Sequence, residues 1–492
     1  MDSDACKKPG RADLLTIGFG TAVVMWAVGY FCRLFGDAVP AAMIFILLLA
    51  CQMAGGVAAG RWTPRGIAGG GWAGLIAGLL NLLIVGSLLG GKTPHEIKTG
   101  ALLWVPGTLA VATLLGLFGA TLGRARPHTP APLLDWSGGL AIVAACATFL
   151  LLGAGGLVTG FDEGLAVVDW PNTEGYNMFL YPLARMTGGV YLEHAHRLLG
   201  SLVGLTTLVV AVQVQISDRR RTVKALAWAA LLMVVIQGVL GGLRVTGRLT
   251  LSTNPADTDP SVVLAIVHGV FGQLVFAALV ALAVCRTRVW RATSHVMPAP
   301  SASTDRTFGG ALVVLLVCQL VLGALVRHFS WALDIMRYGM NVDPARLVAV
   351  GRHVLNIHIA FAVLVALLSV AVGVRAWGIY QNVRALRRLG SSLLVLIGVQ
   401  LALGIAALVV TGNDTPGRRP GPVDVLVTTA HQVVGAALLA WAVMILLWNY
   451  RLLSVGAAHA EAAATSPGPD AAAVACPAPP TGDSRESAGM GR

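Results

Sequence analysis

Twelve stretches of roughly twenty apolar residues run through this chain, near 14–32, 41–59, 66–90, 100–122, 136–158, 190–212, 225–246, 262–284, 308–326, 353–373, 390–411 and 424–449. About 20 such residues span a bilayer as a helix, and hydrocarbon leaves backbone groups no partner but their own segment. The fold class expected is therefore an all-α polytopic membrane protein with about twelve transmembrane helices. Composition agrees: 56% of the 492 residues are hydrophobic and 12% charged, with a mean hydropathy of +0.75, far from a soluble domain. Many spans carry glycine, which permits close backbone approach between helices.

Lysine and arginine in short loops set orientation. In the last eight helices Arg219, Arg220, Arg221, Lys224, Arg286, Arg288, Arg291, Arg306, Arg375, Arg384, Arg387 and Arg388 share one side, against Arg185, Arg248, Arg337, Arg346, Arg418 and Arg419 on the other. Lys7, Lys8, Arg11, Arg61, Arg65, Arg124 and Arg126 extend the pattern to the first four helices. Both termini are expected in the cytoplasm of a bacterium, with the chain in its inner (cytoplasmic) membrane. The formal charge of +12 reads as topology and contact with membrane lipid, not as a nucleic-acid signature. The first apolar run is long and lacks a convincing cleavage site, so no cleaved signal is expected. The seven cysteines, at 6, 32, 51, 146, 285, 318 and 476, lie in helices or at inward ends, and no outer disulfide is expected. Residues 456–492, rich in Ala, Pro, Gly and Ser, read as a disordered cytoplasmic tail.

A repeat organises the rest. AHRLLG, VHGVFG, IHIAFA and AHQVVG are expected to place His196, His268, His358 and His431 at the opening of apolar helices, each with Gly or Ala four residues later. The spacing is regular, since 268 − 196 = 72 and 431 − 358 = 73. The preceding helices end in related phrases, GAGGLVTG, GVLGGLRVTG, LGALVRH and GIAALVVTG. The last eight helices are thus expected to form two pseudo-symmetric four-helix bundles, 136–292 and 308–450, after a four-helix segment at 1–126 and a linker with Pro127, Pro130 and Pro132. The Pro- and Ser-rich run from Thr293 to Thr307 separates the halves. Imidazole is costly in hydrocarbon, and a small residue one turn away leaves room for something flat. Paired histidines in a four-helix bundle point to bis-histidine ligation of a b-type haem iron, making all four candidate metal ligands. One such histidine alone is an ordinary packing residue; four at equivalent positions have no packing reason to recur.

Other polar residues sort around these. His95, His128, His295 and His459 fall in loops or tail, and His194 points about 200° away from His196. His328 and His353 flank an outer loop within reach of a propionate. Three residues before the four histidines stand Glu193, Ala265, Leu355 and Thr428, so the first copy alone carries a carboxylate. Glu193 is either a group for hydrogen bonding, charge balance or proton transfer or a helix N-terminal carboxylate. Arg197, Arg244 and Arg327 share the outer level and are candidate propionate partners, though arginine there is also a plain anchor. The loop 159–191, with Asp162, Glu163, Asp169, Trp170, Tyr176, Phe179 and Tyr181, reads as an acidic aromatic flap or as an interfacial belt.

The run GLAVVDWPNTEGYNMF, then LEHAHRLLGSLVG, VHGVFGQLVFA, QLVLGALVRH, NIHIAFAVLVAL and AHQVVGAALLA, resembles the haem A synthase family of bacteria and mitochondria over about residues 136–450. The resemblance implies an oxidoreductase that oxidises a methyl group of haem O to the formyl group of haem A, the cofactor of cytochrome oxidase. It implies a resident haem b in the second half on His358 and His431 and substrate haem in the first half near His196 and His268; of the outer-level arginines, Arg327 is then the candidate contact of the former and Arg197 and Arg244 of the latter. Glu193 matches the acidic residue of the family's Glu-x-x-His-Arg motif and is the implied catalytic residue. Some members carry a cysteine pair in the first outer loop; this chain has none there. Residues 1–126 have no counterpart in the resemblance, and docking of haem O synthase or plain structural support are both readings of them. Expected partners are haem O, haem O synthase and cytochrome oxidase assembly factors, with a homo-oligomer compatible and no nucleic acid. A di-haem electron-transfer protein working on quinone would share the four histidines without needing the lone carboxylate. A haem transporter would share the helix number.

Overall fold

The computed structural model describes residues 11–91, 93–94, 96–125, 136–246, 262–293, 297–329, 344–412 and 420–454. His95, His128, His295, His459, the linker prolines and the tail from 456 lie outside them. Twelve helices are long and apolar enough to cross a membrane, as the sequence predicts. They are α1 (Ala12–Leu34), α2 (Ala41–Trp62), α3 (Gly66–Leu89), α4 (Ala101–Ala125), α5 (Gly139–Gly160), α6 (Gly188–Ser217), α7 (Arg221–Thr246), α8 (Val262–Arg286), α10 (Ala302–Phe329), α11 (Pro344–Gly378), α12 (Arg384–Thr411) and α13 (Pro422–Leu452), with a short α9 (Arg288–Ala292) between.

Glycine and alanine set how closely the first four helices pack. A Cβ on Gly56, Gly70 or Gly74 would collide with the α4 backbone at Gly116 or Ala112, and buried Gln52 donates to the carbonyls of Gly74 (3.2 Å) and Ala112 (3.1 Å). Small residues let backbones touch, which is the main source of attraction between helices in lipid. The remaining spans close into two rings of four. In one, α5, α6, α7 and α8 each contact the next and α8 returns to α5; α10, α11, α12 and α13 close in the same way. The rings meet along α5–α13, α8–α13 and α8–α10. The four-helix segment packs on the first ring, α1 on α5 and α6 and α3 on α6. Trp26 Nε1 bonds Asn81 Oδ1 at 3.0 Å within it, and Tyr191 on α6 donates to the carbonyl of Tyr30 at 2.9 Å across the junction.

At the end away from the histidines each ring is knotted by one buried aspartate. Asp218, just past α6, takes Arg220 Nη2 at 2.7 Å and Arg286 Nη1 at 2.8 Å. The hydrogen bonds from Arg220 hold its carboxyl well below the usual range. Asp305 accepts from Arg375 Nε at 2.7 Å and from the Tyr380 hydroxyl, and burial together with that bond pushes the Tyr380 phenol up to about 12. The Pro- and Ser-rich break expected between the halves is anchored where described: Met297–Pro298 pair in parallel with Leu453–Ser454 at the end of α13. The five described cysteines are all free.

One expectation changes. The histidines do not open their helices: His196, His268 and His431 stand roughly two turns in, and α11 begins at Pro344, placing His358 about four turns in. In α6, α11 and α13 polar residues such as Glu193, Arg352 and Asp424 continue the hydrogen-bonded ladder ahead of the histidine, and in α8 the apolar run Val262–Val267 does.

Candidate functional site

The rings bring the four histidines together as two facing pairs. His196 on α6 faces His268 on α8 with ring centroids 6.5 Å apart and planes at 77°; His358 on α11 faces His431 on α13 at 6.5 Å and 76°. Two imidazoles sharing one metal axially, with bonds of about 2 Å and ring radii of about 1 Å, have centroids about 6 Å apart. The spacing therefore fits a bis-histidine iron in each ring. Nδ1 of His196, His268 and His431 is buried with no hydrogen-bond partner, capacity that a ligand from outside the chain would complete. No group of three or more His, Cys, Asp or Glu converges among the described residues, so a metal between either pair takes two side-chain ligands and its remaining ones elsewhere, as in a porphyrin.

Each ring edge rests on a glycine of the neighbouring helix. A Cβ at Gly155, Gly241, Gly323 or Gly404 would lie 2.9, 3.0, 3.2 or 3.1 Å from Cε1 of His196, His268, His358 or His431. Any larger residue at these positions would push the imidazole out of line. Sequence reasoning noticed the glycine phrases as a repeat but not their partners. It missed Gln237, Gln319 and Gln400 altogether, one turn before three of those glycines, where their amides lie 3.2–3.4 Å from ring nitrogens of His268, His358 and His431. The signal was a Gln-x-x-x-Gly spacing common to three copies. Of the small residues one turn after the histidines, Gly272 and Gly435 face the amides of Gln237 and Gln400, whereas Gly200 opens on space with nothing within 4 Å.

Above the first pair sits a folded lid, residues 161–187. Its hairpin pairs Asn172–Thr173 with Tyr176–Asn177, and the turn residues Glu174 and Gly175 have φ of 48° and 77°, the left-handed pair that a tight hairpin requires. Fully buried Asp169 accepts from both of their amides at 2.8 Å. Tyr181 donates to Glu174 at 2.7 Å, and burial with that bond holds its phenol above the ordinary value. The flap is thus an ordered element, not an open acidic loop. His194, turned away from the pair as expected, meets Thr173 Oγ1 at 3.0 Å and the Tyr181 ring at 5.0 Å.

The charged residues divide accordingly. Glu193, 3% exposed, receives Arg197 Nη2 on Oε1 at 2.5 Å and the Val167 amide on Oε2 at 3.1 Å. It is neither a free carboxylate nor a dipole cap but the foot of the lid. Arg197 was expected at a propionate; its terminal nitrogens instead serve the carbonyls of Asp169 (2.7 Å), Asn172 (2.9 Å) and Val167 (2.8 Å) as well as Glu193. A planar fork with five donors suits such a cluster, and little of it is left for a ligand. Arg244 on α7 lies against Gly164 of the lid, with the carboxylates of Glu193 and Asp162 close enough to act on its charge. Arg327 on α10 donates to Thr428 Oγ1 at 2.7 Å, joining α10 to α13 above the second pair. His353 bonds its own helix at the Ala349 carbonyl (2.7 Å), and His328 is buried.

The comparisons with known proteins fall on this same part of the chain. The family signature COX15-CtaA, cytochrome oxidase assembly protein, matches residues 139–445, from the first residue of α5 into α13 and across both histidine pairs. A heme A synthase of Rhizorhabdus wittichii is 24% identical over 367 residues, covering 66% of this chain and 96% of the relative. No solved structure matches. Spanning both rings and more than half of the sequence, the signature decides the matter: this integral membrane protein belongs to the COX15-CtaA family of cytochrome oxidase assembly proteins.

Proposed function

We propose that the chain is a haem A synthase, an oxidoreductase that converts a methyl group of its substrate haem O to the formyl group of haem A. The observation that carries the reading is the pair of matched imidazole clasps, 6.5 Å apart in each ring, inside a segment that matches the family throughout. In this reading His196 and His268 grip the substrate, and Arg244 meets its propionates. His358 and His431 hold a resident haem b, with Arg327 above it. When bound, haem b supplies one-electron redox chemistry.

The first ring alone places a carboxylate within a turn of a clasp histidine. Glu193 keeps the lid closed through Arg197 and Val167, excluding water, and takes up a proton as the methyl carbon is oxidised. Its buried partner Arg197 holds the carboxylate in place for that proton. Arginine and lysine crowd the end opposite the histidines, which supports a bacterial inner-membrane protein with both termini in the cytoplasm and both clasps near the outer surface. The first four helices, packed on α1–α5 and α1–α6 contacts, support the substrate ring and its lid.

Pigment extraction from the purified chain tests the proposal. Haem b together with haem O or haem A is expected. Haem b alone would mean electron transfer to or from quinone, and a colourless chain would mean transport or no haem role at all. Replacing Glu193→Gln should leave both haems bound and abolish haem A formation; normal haem A levels would remove Glu193 from the chemistry.

A further inference from the structure

The four histidines differ in what stands beside them. One turn before the histidine-facing glycines the chain carries Leu151, Gln237, Gln319 and Gln400. Gln237 Nε2 donates to the main-chain carbonyl of His268 at 2.9 Å and lies 3.4 Å from its ring Nε2. Gln319 Nε2 donates to the carbonyl of His358 at 3.1 Å, with both ring nitrogens within 3.4 Å. Gln400 Nε2 stands 3.4 Å from His431 Nε2. In each of the three, the amide Oε1 is buried with no other partner, so whichever way the amide is turned a polar group lies against the imidazole. Rotating any of these rings would separate buried polar groups.

His196 has nothing of the kind. Leu151 is a partly buried apolar side chain of the surrounding core and offers neither donor nor acceptor. One turn beyond His196, a Cβ on Gly200 would meet no atom within 4 Å, whereas at Gly272 and Gly435 it would meet the glutamine amides at 3.0 and 3.4 Å. The first ring therefore has one imidazole held by an amide and one with no hydrogen-bonding side chain against its ring among the described residues, with open space at Gly200 one turn on.

We propose that Gln237, Gln319 and Gln400 are positioning residues that lock His268, His358 and His431 in the ligating orientation, and that Leu151 leaves His196 as the one axial ligand free to turn away. The inference rests on the haem reading above and refines it. A resident haem has to stay and is held by two locked imidazoles. A substrate haem has to arrive and leave as product, and is held by one locked and one releasable imidazole. Groups that fix a ligating histidine from behind change metal affinity by about 10- to 100-fold when removed.

Carbon monoxide reads ligand release directly, because it binds reduced haem iron only where an axial imidazole has let go. In the purified, dithionite-reduced full-length chain, one of the two haems should shift its absorption spectrum under carbon monoxide while the other stays silent. Leu151→Gln, which installs the missing amide, should weaken carbon monoxide binding at the reactive haem by about tenfold or more. Gln319→Leu should render the silent haem reactive, an independent arm from the other ring if Leu151→Gln does not fold. Two haems that are both silent in the parent chain, unchanged carbon monoxide affinity in Leu151→Gln, or a second haem still silent in Gln319→Leu would each overturn the inference and leave the two-haem reading standing. A first ring that loses its haem in Leu151→Gln also overturns it, since a locked imidazole should hold at least as well. A chain that carries no haem before carbon monoxide is added overturns both.

Discussion

The two four-helix rings hold their histidine pairs alike, 6.5 Å apart at 77° and 76°, yet they differ in the charged groups described beside those pairs. In the first, Glu193 and Arg197 form a buried ion pair with exposures of 4% and 8% and tie down an ordered lid. In the second, the polar pair at the same level is Arg327 with the neutral Thr428. What repeats is what places a ligand: a glycine on one helix and an imidazole on the next. Among the described residues, the Glu193–Arg197 pair and the lid it holds belong to the first ring. The ligand frame is thus set by helix packing, which both rings supply, while the buried carboxylate beside a clasp histidine comes with the first ring's Glu193.

That contrast can be broken most severely at Arg197. Removing one partner of a buried ion pair leaves an uncompensated charge and costs about 3–5 kcal/mol. Arg197→Ala should lower the thermal midpoint of the purified protein and deprotect backbone amides of 161–187 in hydrogen exchange, whereas Thr428→Ala, which loses one hydrogen bond to a charged group, should cost about 1.5–3 kcal/mol and leave those amides protected. Equal loss in the two variants would erase the distinction drawn between the rings. The shared frame is tested next: Gly155→Ala and Gly404→Ala each set a methyl about 3 Å from an imidazole edge and should cost about 1–3 kcal/mol by overpacking. Both should broaden or shift the low-spin haem signal of their own ring and spare the other. A smaller effect belongs to the far end. The Asp218 carboxyl is held below its ordinary value by Arg220, so it stabilises the fold fully above the unfolded value of about 3.9 and less as pH falls below it. Asp218→Asn should flatten the loss of thermal stability on acidification through that window, and an unchanged pH profile would show the knot to be idle.

Much of this was legible in the sequence, for identifiable reasons. Twelve apolar runs of helix-spanning length give twelve helices because a helix satisfies all its backbone groups within one segment in lipid. His196, His268, His358 and His431 stood out because a costly residue recurs at one spacing, and Glu193 because it breaks the recurrence. What stayed hidden lay between helices. Gln319 touches His358 across 39 positions of sequence and Arg197 reaches Asp169 across 28, and periodicity along one helix says nothing of the side chain opposite. Arg197 looked like a propionate partner because its charge and level were visible while the carbonyls that occupy it were not. The ordered lid was hidden for the same reason, since buried Asp169 reads in sequence as one more acidic loop residue.

The central claim is that one chain clasps two iron porphyrins, each between its own pair of imidazoles. Haem content per chain in His268→Ala and His358→Ala, set beside the parent protein, tests it most directly. The account predicts two haems in the parent, loss of haem O or haem A alone in His268→Ala, and loss of haem b alone in His358→Ala. Equal loss of the same pigment from both variants, or a parent chain holding a single haem, would contradict it.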